Sequence, residues 1–419
     1  MSDAVTHAQA EHAADILRTT AAVRERCGQL LARARRGESR WWTVDDGKLA
    51  DAAHAVTAAT KERYPRLHIP FHSRWRHFEA GGMDRKAQLD RLLEGMDPAS
   101  RAESMIDLTV VSVLLDAGAG SDWKYVEPAT GKTFTRSEGL AVASFHAFTG
   151  GLFSSDKSHP LQADSAGLRA LVTDHLASAF QVGPANPMVG LEGRAVLLRR
   201  LGEAMSEQPE VFGEDGRPGG LFDMLVTPHG SQVPHTADIT AHDILSQLLM
   251  SLSGIWPAGN NIGGVPLGDC WRHSAVRGEG ASDGWVPFHK LSQWLTYSLL
   301  EPFAWAGVQV RGLEALTGLP EYRNGGLLVD SGVLVPREAS ARALVWQPGD
   351  ELIVEWRALT VALLDELAVR VRQDLGQDEH HLPLARVLEG GTWAAGRASA
   401  QRLRGGLPPL TVASDGTVF

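Results

Sequence analysis

Glu321, Tyr322 and Arg323 stand side by side after Pro320, in the stretch LTGLPEYRNGGLLVDSGVL. An acid, a phenol and a guanidinium in a row can make a general acid or base held by an arginine. They can equally make an ion pair beside a core tyrosine. Asn324-Gly325-Gly326 follows at the head of an apolar helix, where glycine lets backbone approach a neighbour closely. Asp330 lies within the apolar run. A second group opens VPFHKLSQWLTYSLL. Pro287 fits the first turn of a helix, where a missing N–H is harmless. His289 and Lys290 then stand at the helix's positive end beside free N–H groups, an arrangement that suits an anion and phosphate above all. Gln293 and Tyr297 follow on the same face, three and seven residues after Lys290. The competing reading is an amphipathic helix whose polar side meets water.

A third group is VVSVLLDAGAGSDWKYVEP, where an apolar helix ends in Asp116. A carboxylate there meets the negative end of the helix dipole and partial desolvation, so it needs donors. It is either a turn aspartate bonded to its own loop or a site carboxylate. Trp123 and Tyr125 come next, flat rings that suit a planar ligand or a sugar face. Three of the four tyrosines fall in these three groups. Weaker signals are His72, in the similar opening IPFHSRWRHFEAGG, and Asp269, after a Gly-rich turn in GGVPLGDCWRH. His229, His235 and His242 are spaced by six and seven residues and match no zinc frame, so no metal is expected. There is no P-loop, no GxGxxG after a strand and no GxSxG, which argues against nucleotide triphosphate, dinucleotide and α/β-hydrolase chemistry. No cofactor is expected.

The elements that must position these residues are helices. From Asp350 to Leu375 apolar residues recur at Leu352, Trp356, Leu359, Leu363, Leu367 and Val371, with Gly376 as the stop. Similar patterns predict helices over 4–36, 46–63, 99–116, 136–150, 165–179, 189–206, 240–252 and 287–306. Period-two alternation is scarce, with short strands expected at Gly131–Thr135 and in the C-terminal tail. The fold class is therefore mainly α, in one compact unit; the alternative is a division in which N-terminal helices over 1–98 pack on a catalytic region over 99–419. The chain has 419 residues and is 43% hydrophobic, enough for a large core. With 40 basic against 50 acidic residues, it is not expected to bind long nucleic acid or an anionic membrane. A small anion in a local cationic pocket stays compatible. Two cysteines, Cys27 and Cys270, and no visible secretory signal point to the cytosol.

VPFHKLSQWLTYSLLEP, LTGLPEYRNGGLLVDSGVL and IPFHSRWRHFEAGG resemble the uracil-catabolism protein family, over nearly the whole chain. A more distant resemblance is to the queuosine-salvage nucleotide glycosidases, a helical fold related to helix-hairpin-helix DNA glycosylases. Lys290, Gln293, Leu316-Thr317 and Glu321-Tyr322-Arg323 match that family's motif, and Asp116 with Trp123 resembles its helix-end acid and aromatic cluster. Glu321 stands where those enzymes usually carry Asp, and Asn324-Gly325-Gly326 replaces their Val-Pro-Gln.

These resemblances imply an N-ribosyl hydrolase acting on a pyrimidine-derived nucleotide such as ribosylurea phosphate. Glu321 or Asp116 would supply the carboxylate, and Arg323 or Tyr322 would orient it or contact the leaving group. Lys290, with His289 and His72, would hold the phosphate. Trp123, Tyr125, Asp269, Gln293, Tyr297 and Asp330 complete the expected substrate-binding set. The alternatives are a metal-dependent ring-opening amidohydrolase using His229, His235, His242 and Asp243, or a non-catalytic nucleotide-binding subunit.

Overall fold

The longest helix, Glu351–Leu375, shows how the chain is organised. Its stripe predicts one buried face, yet Ile353, Val354, Ala358, Val361 and Leu364 are buried as well as the stripe itself. It is therefore a central helix, covered by Thr20–Arg35 and Leu49–Arg63. Gly376 ends it in the left-handed conformation, as the sequence predicts. A computed structural model describes residues 5–226, 238–256 and 259–413. These form two compact units of interleaved segments. The first is built from 5–72, 259–293 and 312–413, the second from the described stretches of 73–256 and from 294–311.

Both units are mainly helical, and every sheet among the described residues has two strands. The helices expected over 99–116, 136–150, 189–206 and 240–252 are found as Pro98–Leu114, Arg136–Thr149, Leu191–Ser206 and Ala241–Leu252. The expected helix over 4–36 is two, His7–Leu17 and Thr20–Arg35, because Thr19 caps the second. Pro287 does not open a helix. It closes the strand Trp285–Pro287, which pairs with Cys270–Arg272. The helix starts three residues later as Lys290–Trp305, after His289 turns the chain with a φ of 50°.

In the first unit, the helix Tyr322–Asp330 is fixed from two sides by glycine. Gly325 lies so close to the Trp356 indole that a Cβ would stand 2.8 Å from Cε2, and Trp356 Nε1 donates to the Gly325 carbonyl at 3.2 Å. The close approach foreseen for Asn324-Gly325-Gly326 is thus to the protein's own core. On the other side, a Cβ on Gly396 of the helix Trp393–Arg404 would stand 2.2 Å from the Arg323 carbonyl oxygen. Just before that helix, Leu388–Thr392 forms a π-helical turn, with Gly391 seated against the Val56 carbonyl of Leu49–Arg63.

In the second unit, Pro98–Leu114 is the central helix, lined by Arg136–Thr149 and Gly220–Val226. Just past its end, Arg194 donates to the carbonyls of Leu115, the C-cap, and Ala117.

Gly396→Ala is expected to destabilise the first unit. Helix propensity would gain about 1 kcal/mol, but overpacking typically costs about 1–3 kcal/mol. Here the obstacle is backbone, which no rotamer change relieves. A lower urea midpoint than wild type, at unchanged m-value, is the expected result.

Candidate functional site

Glu321 is the N-cap of the helix Tyr322–Asp330. Its carboxylate accepts from Arg323 N at 2.7 Å and Asn324 N at 2.6 Å. Burial pushes its pKa above the ordinary range, against the pull of those two N–H groups and of the Lys290 and Arg323 charges. Glu321 as a whole residue is half-buried. Arg323 is buried, donates to the Gly406 carbonyl and lies over the Tyr322 ring.

Two amides stand at the same turn. Gln293 Oε1 accepts from Thr317 N at 3.3 Å, and Asn324 Nδ2 donates to the Leu319 carbonyl at 3.0 Å. Lys290, Gln293, Thr317, Glu321 and Asn324 therefore belong to one region of the first unit, linked by hydrogen bonds and by the Lys290 field at Glu321. Lys290 begins its helix, but the first N–H there is not free for a ligand. It donates to Asp269 Oδ2 at 3.0 Å, so the anion at this helix start is the protein's own.

Asp269 also takes both terminal nitrogens of Arg357 at 2.8 Å each, and Trp271 Nε1 at 2.7 Å. Burial opposes its ionisation, but Arg357 outweighs that and holds it well below the carboxylate range. His289 is buried with its ring nitrogen Nε2 2.9 Å from the Leu17 carbonyl, and burial lowers its pKa. Its ring is thereby engaged with the core of this unit. Asp330 is clamped by Arg404 through two bonds of 2.7 Å.

His72 belongs to a separate cluster in the same unit. Its Nδ1 lies 3.0 Å from Glu389 Oε2, while Arg63 Nη2 and Tyr64 Oη reach Glu389 Oε1 at 2.7 and 3.0 Å. Burial works against the Glu389 charge, but His72 and Arg63 outweigh it and hold the carboxyl at about 2. The sequence reading missed Glu389. Its only local sign is the Glu-Gly-Gly of the π-turn, whose meaning depends on a residue more than 300 positions away, as the separations of 325 and 326 for Tyr64 and Arg63 show.

Asp116, Trp123, Tyr125 and Tyr297 belong to the second unit. Asp116 forms an ion pair with Arg74, Oδ1 lying 3.0 Å from Nη1. Arg74 is itself fully buried and donates to Ser112 Oγ and the Ser137 carbonyl. Trp123 is a core residue, stacked on Phe180 and donating to its carbonyl. Tyr125 is buried and stacked on His146, which bonds Glu127. Tyr297 is buried. Arg74 was missed because nothing in its local sequence shows that it would be buried.

His229 and His235 lie outside the described residues. His242 Nδ1 is 3.1 Å from Ser246 Oγ, and Asp243 completes the capping box of Ala241–Leu252. Among the described residues, Asp378, His380 and His381 could offer metal ligands within 4.8 Å of one another, on an exposed loop.

Comparison with known proteins adds a lineage to this geometry. The family model described as "Protein of unknown function (DUF1688)" matches residues 16–419. The chain belongs to that family. Among its similar proteins, "Protein urg3" of Schizosaccharomyces pombe is 40% identical over 405 residues, covering 95% of this chain and 96% of the relative. "Uracil catabolism protein 4" of Lachancea kluyveri is 40% identical over 381 residues, covering 84% and 85%. Family membership thus extends over both units, and the Glu321 and Glu389 clusters lie within the matched span.

The Glu389 cluster gives a pH test. A carboxyl lowered from 4.5 to about 2 contributes stability that is fully present above 4.5 and is lost as pH falls through about 2. Chemical denaturation of wild type and Glu389→Gln should therefore differ most above pH 5 (about one-half unit above the ordinary value). The gap should close as pH approaches 2.

Proposed function

We propose that this protein acts in uracil catabolism as an N-ribosyl hydrolase. Its substrate is a ring-opened uridine nucleotide such as ribosylurea phosphate. Water attacks C1′ of the ribose and the C1′–N bond breaks, giving ribose 5-phosphate and urea or the corresponding ureide. The pathway assignment draws on the relative named "Uracil catabolism protein 4".

One observation carries the reaction. Glu321 is an enclosed carboxylate with a raised pKa, held by two backbone N–H groups, within the field of Lys290 and beside two buried amides. Cleavage of an N-glycosidic bond builds positive charge on the sugar, and a fixed carboxylate beside it stabilises that state. A raised pKa also suits Glu321 to take a proton from the attacking water. The leaving nitrogen must gain a proton as the bond breaks, and the one that Glu321 takes from water is passed to it, which leaves the carboxylate as it began. Lys290 is the cationic side chain proposed to hold the phosphate, its charge acting in the same region as Glu321. Binding the phosphate away from the reacting carbon helps to orient that carbon. Tyr322 and Arg323, on the first turn after Glu321, support its position.

Two variants test this reading. Glu321→Gln keeps a carbonyl able to accept an N–H bond, so folding should change by no more than about 1–2 kcal/mol, the usual range for a cap. Turnover of ribosylurea phosphate, followed as ribose 5-phosphate release, should fall by about two to four orders of magnitude. Loss of stability with turnover per folded molecule intact would reduce Glu321 to a helix cap. Lys290→Ala should weaken binding of the phosphorylated ligand about tenfold or more, and leave the dephosphorylated ribosylurea little changed. Equal loss for both ligands in calorimetry would move the phosphate elsewhere.

A further inference from the structure

We propose that Gln293 and Asn324 together recognise the ureide end of the substrate. Gln293 Nε2 donates to the ureide carbonyl, and Asn324 Oδ1 accepts from its terminal N–H. This inference rests on the hydrolase reading above and adds to it how the leaving group is selected.

Both side chains are almost wholly buried, at 0% and 1% exposure. Each uses one end of its amide on the same short stretch, Gln293 at Thr317 and Asn324 at Leu319. A primary amide can be turned end for end without changing its shape, but the partners here fix both orientations. The Thr317 N–H requires the Gln293 oxygen, and the Leu319 carbonyl requires the Asn324 nitrogen. The opposite ends follow by necessity: a donor on Gln293 and an acceptor on Asn324. Neither of these buried atoms has a hydrogen-bond partner among the described residues. Such atoms are uncommon in folded proteins and call for a partner.

The two amides are anchored on neighbouring backbone groups, Thr317 and Leu319. Three residues of extended chain span at most about 10 Å. Asn324 also donates its backbone N–H to Glu321 at 2.6 Å, so the acceptor rides on the same turn as the proposed catalytic carboxylate. A donor and an acceptor presented together match a carbonyl adjacent to an N–H. A ureide offers that pair at its end, whereas a sugar or a phosphate does not supply an amide edge. The closed ring of uracil also has carbonyl and N–H groups, but it lacks the free terminal NH₂. The pair therefore makes discrimination between open and closed forms a measurable property.

Calorimetry on the full chain can use three probes: ribose 5-phosphate, uridine 5′-phosphate, and the carbocyclic analogue of ribosylurea phosphate, whose C–N bond is no longer a hydrolysable N-glycosidic bond. Wild type is expected to bind the ureide analogue about 10- to 100-fold more tightly than ribose 5-phosphate, and more tightly than uridine 5′-phosphate. Gln293→Met and Asn324→Ala should each bring the first ratio close to one while leaving ribose 5-phosphate affinity within about twofold of wild type. Gln293→Glu keeps an oxygen for Thr317 N–H and replaces the amide donor with a second carboxyl oxygen, so it repeats the loss of ureide preference should the Met variant not fold. If wild type binds ribose 5-phosphate but does not prefer the ureide, recognition by these amides is overturned and the phosphosugar half of the reading stands. A preference for the ureide that survives in the folded variants also overturns it, since the amides then serve the fold or a bound water. If wild type binds none of the three, the hydrolase reading fails and this inference fails with it.

Discussion

Within the first unit, the buried Asp269–Arg357 pair is the interaction on which the candidate site depends. Arg357 belongs to the central helix, while Asp269 precedes the strand Cys270–Arg272. The Asp269 carboxylate holds the first N–H of the helix beginning at Lys290, and its carbonyl accepts from Phe288 and His289. One salt bridge therefore fixes where Lys290 and Gln293 begin. The neighbouring residue of the central helix, Trp356, faces Gly325 and fixes the helix that Glu321 caps. Two consecutive side chains of one helix thus position the two sides of the site. A buried pair of this kind gains little over a well-packed apolar substitute, but breaking one side leaves an uncompensated charge. Its value here lies in directionality, since the Asp269 carboxylate organises donors from three separate segments.

The polar groups of this region fall into two sorts. Asp269, Asp330 and Glu389 have guanidinium partners at hydrogen-bond distance and are bound into the framework. Glu321 instead rests on backbone N–H groups, with burial raising its pKa. That contrast separates Asp269 and Glu389, whose charged partners lower their pKa against the cost of burial, from Glu321, whose burial prevails and raises it. Asp116 in the second unit likewise has a guanidinium beside it, that of Arg74.

Much of the helical framework was legible because it depends on local spacing. The stripe from Leu352 to Val371 and the stop at Gly376 mark a helix without any knowledge of its surroundings. The grouping of Lys290, Gln293 and Glu321 was legible through family motifs. What local pattern could not give was the partner of each polar group. Pro287 carries the signature of a helix start, but pairing with Cys270 makes it the end of a strand. Arg357 is hidden within an apolar run, and its meaning appears only with Asp269, 88 residues away. Trp123 and Tyr125 read as ligand-facing rings because aromatic residues serve cores and sites alike. Burial against Phe180 and His146 is a property of the folded chain.

The π-helical turn at Leu388–Thr392 sets the phase of everything after it. A π-turn accommodates one residue more than an α-turn, and one residue corresponds to about 100° of rotation around a helix axis. The extra residue therefore determines which side of Trp393–Arg404 faces inward, and it brings Gly396 rather than a bulkier neighbour against Arg323. Removing a single residue from this turn would misalign a whole helix face at once and take Gly396 away from Arg323.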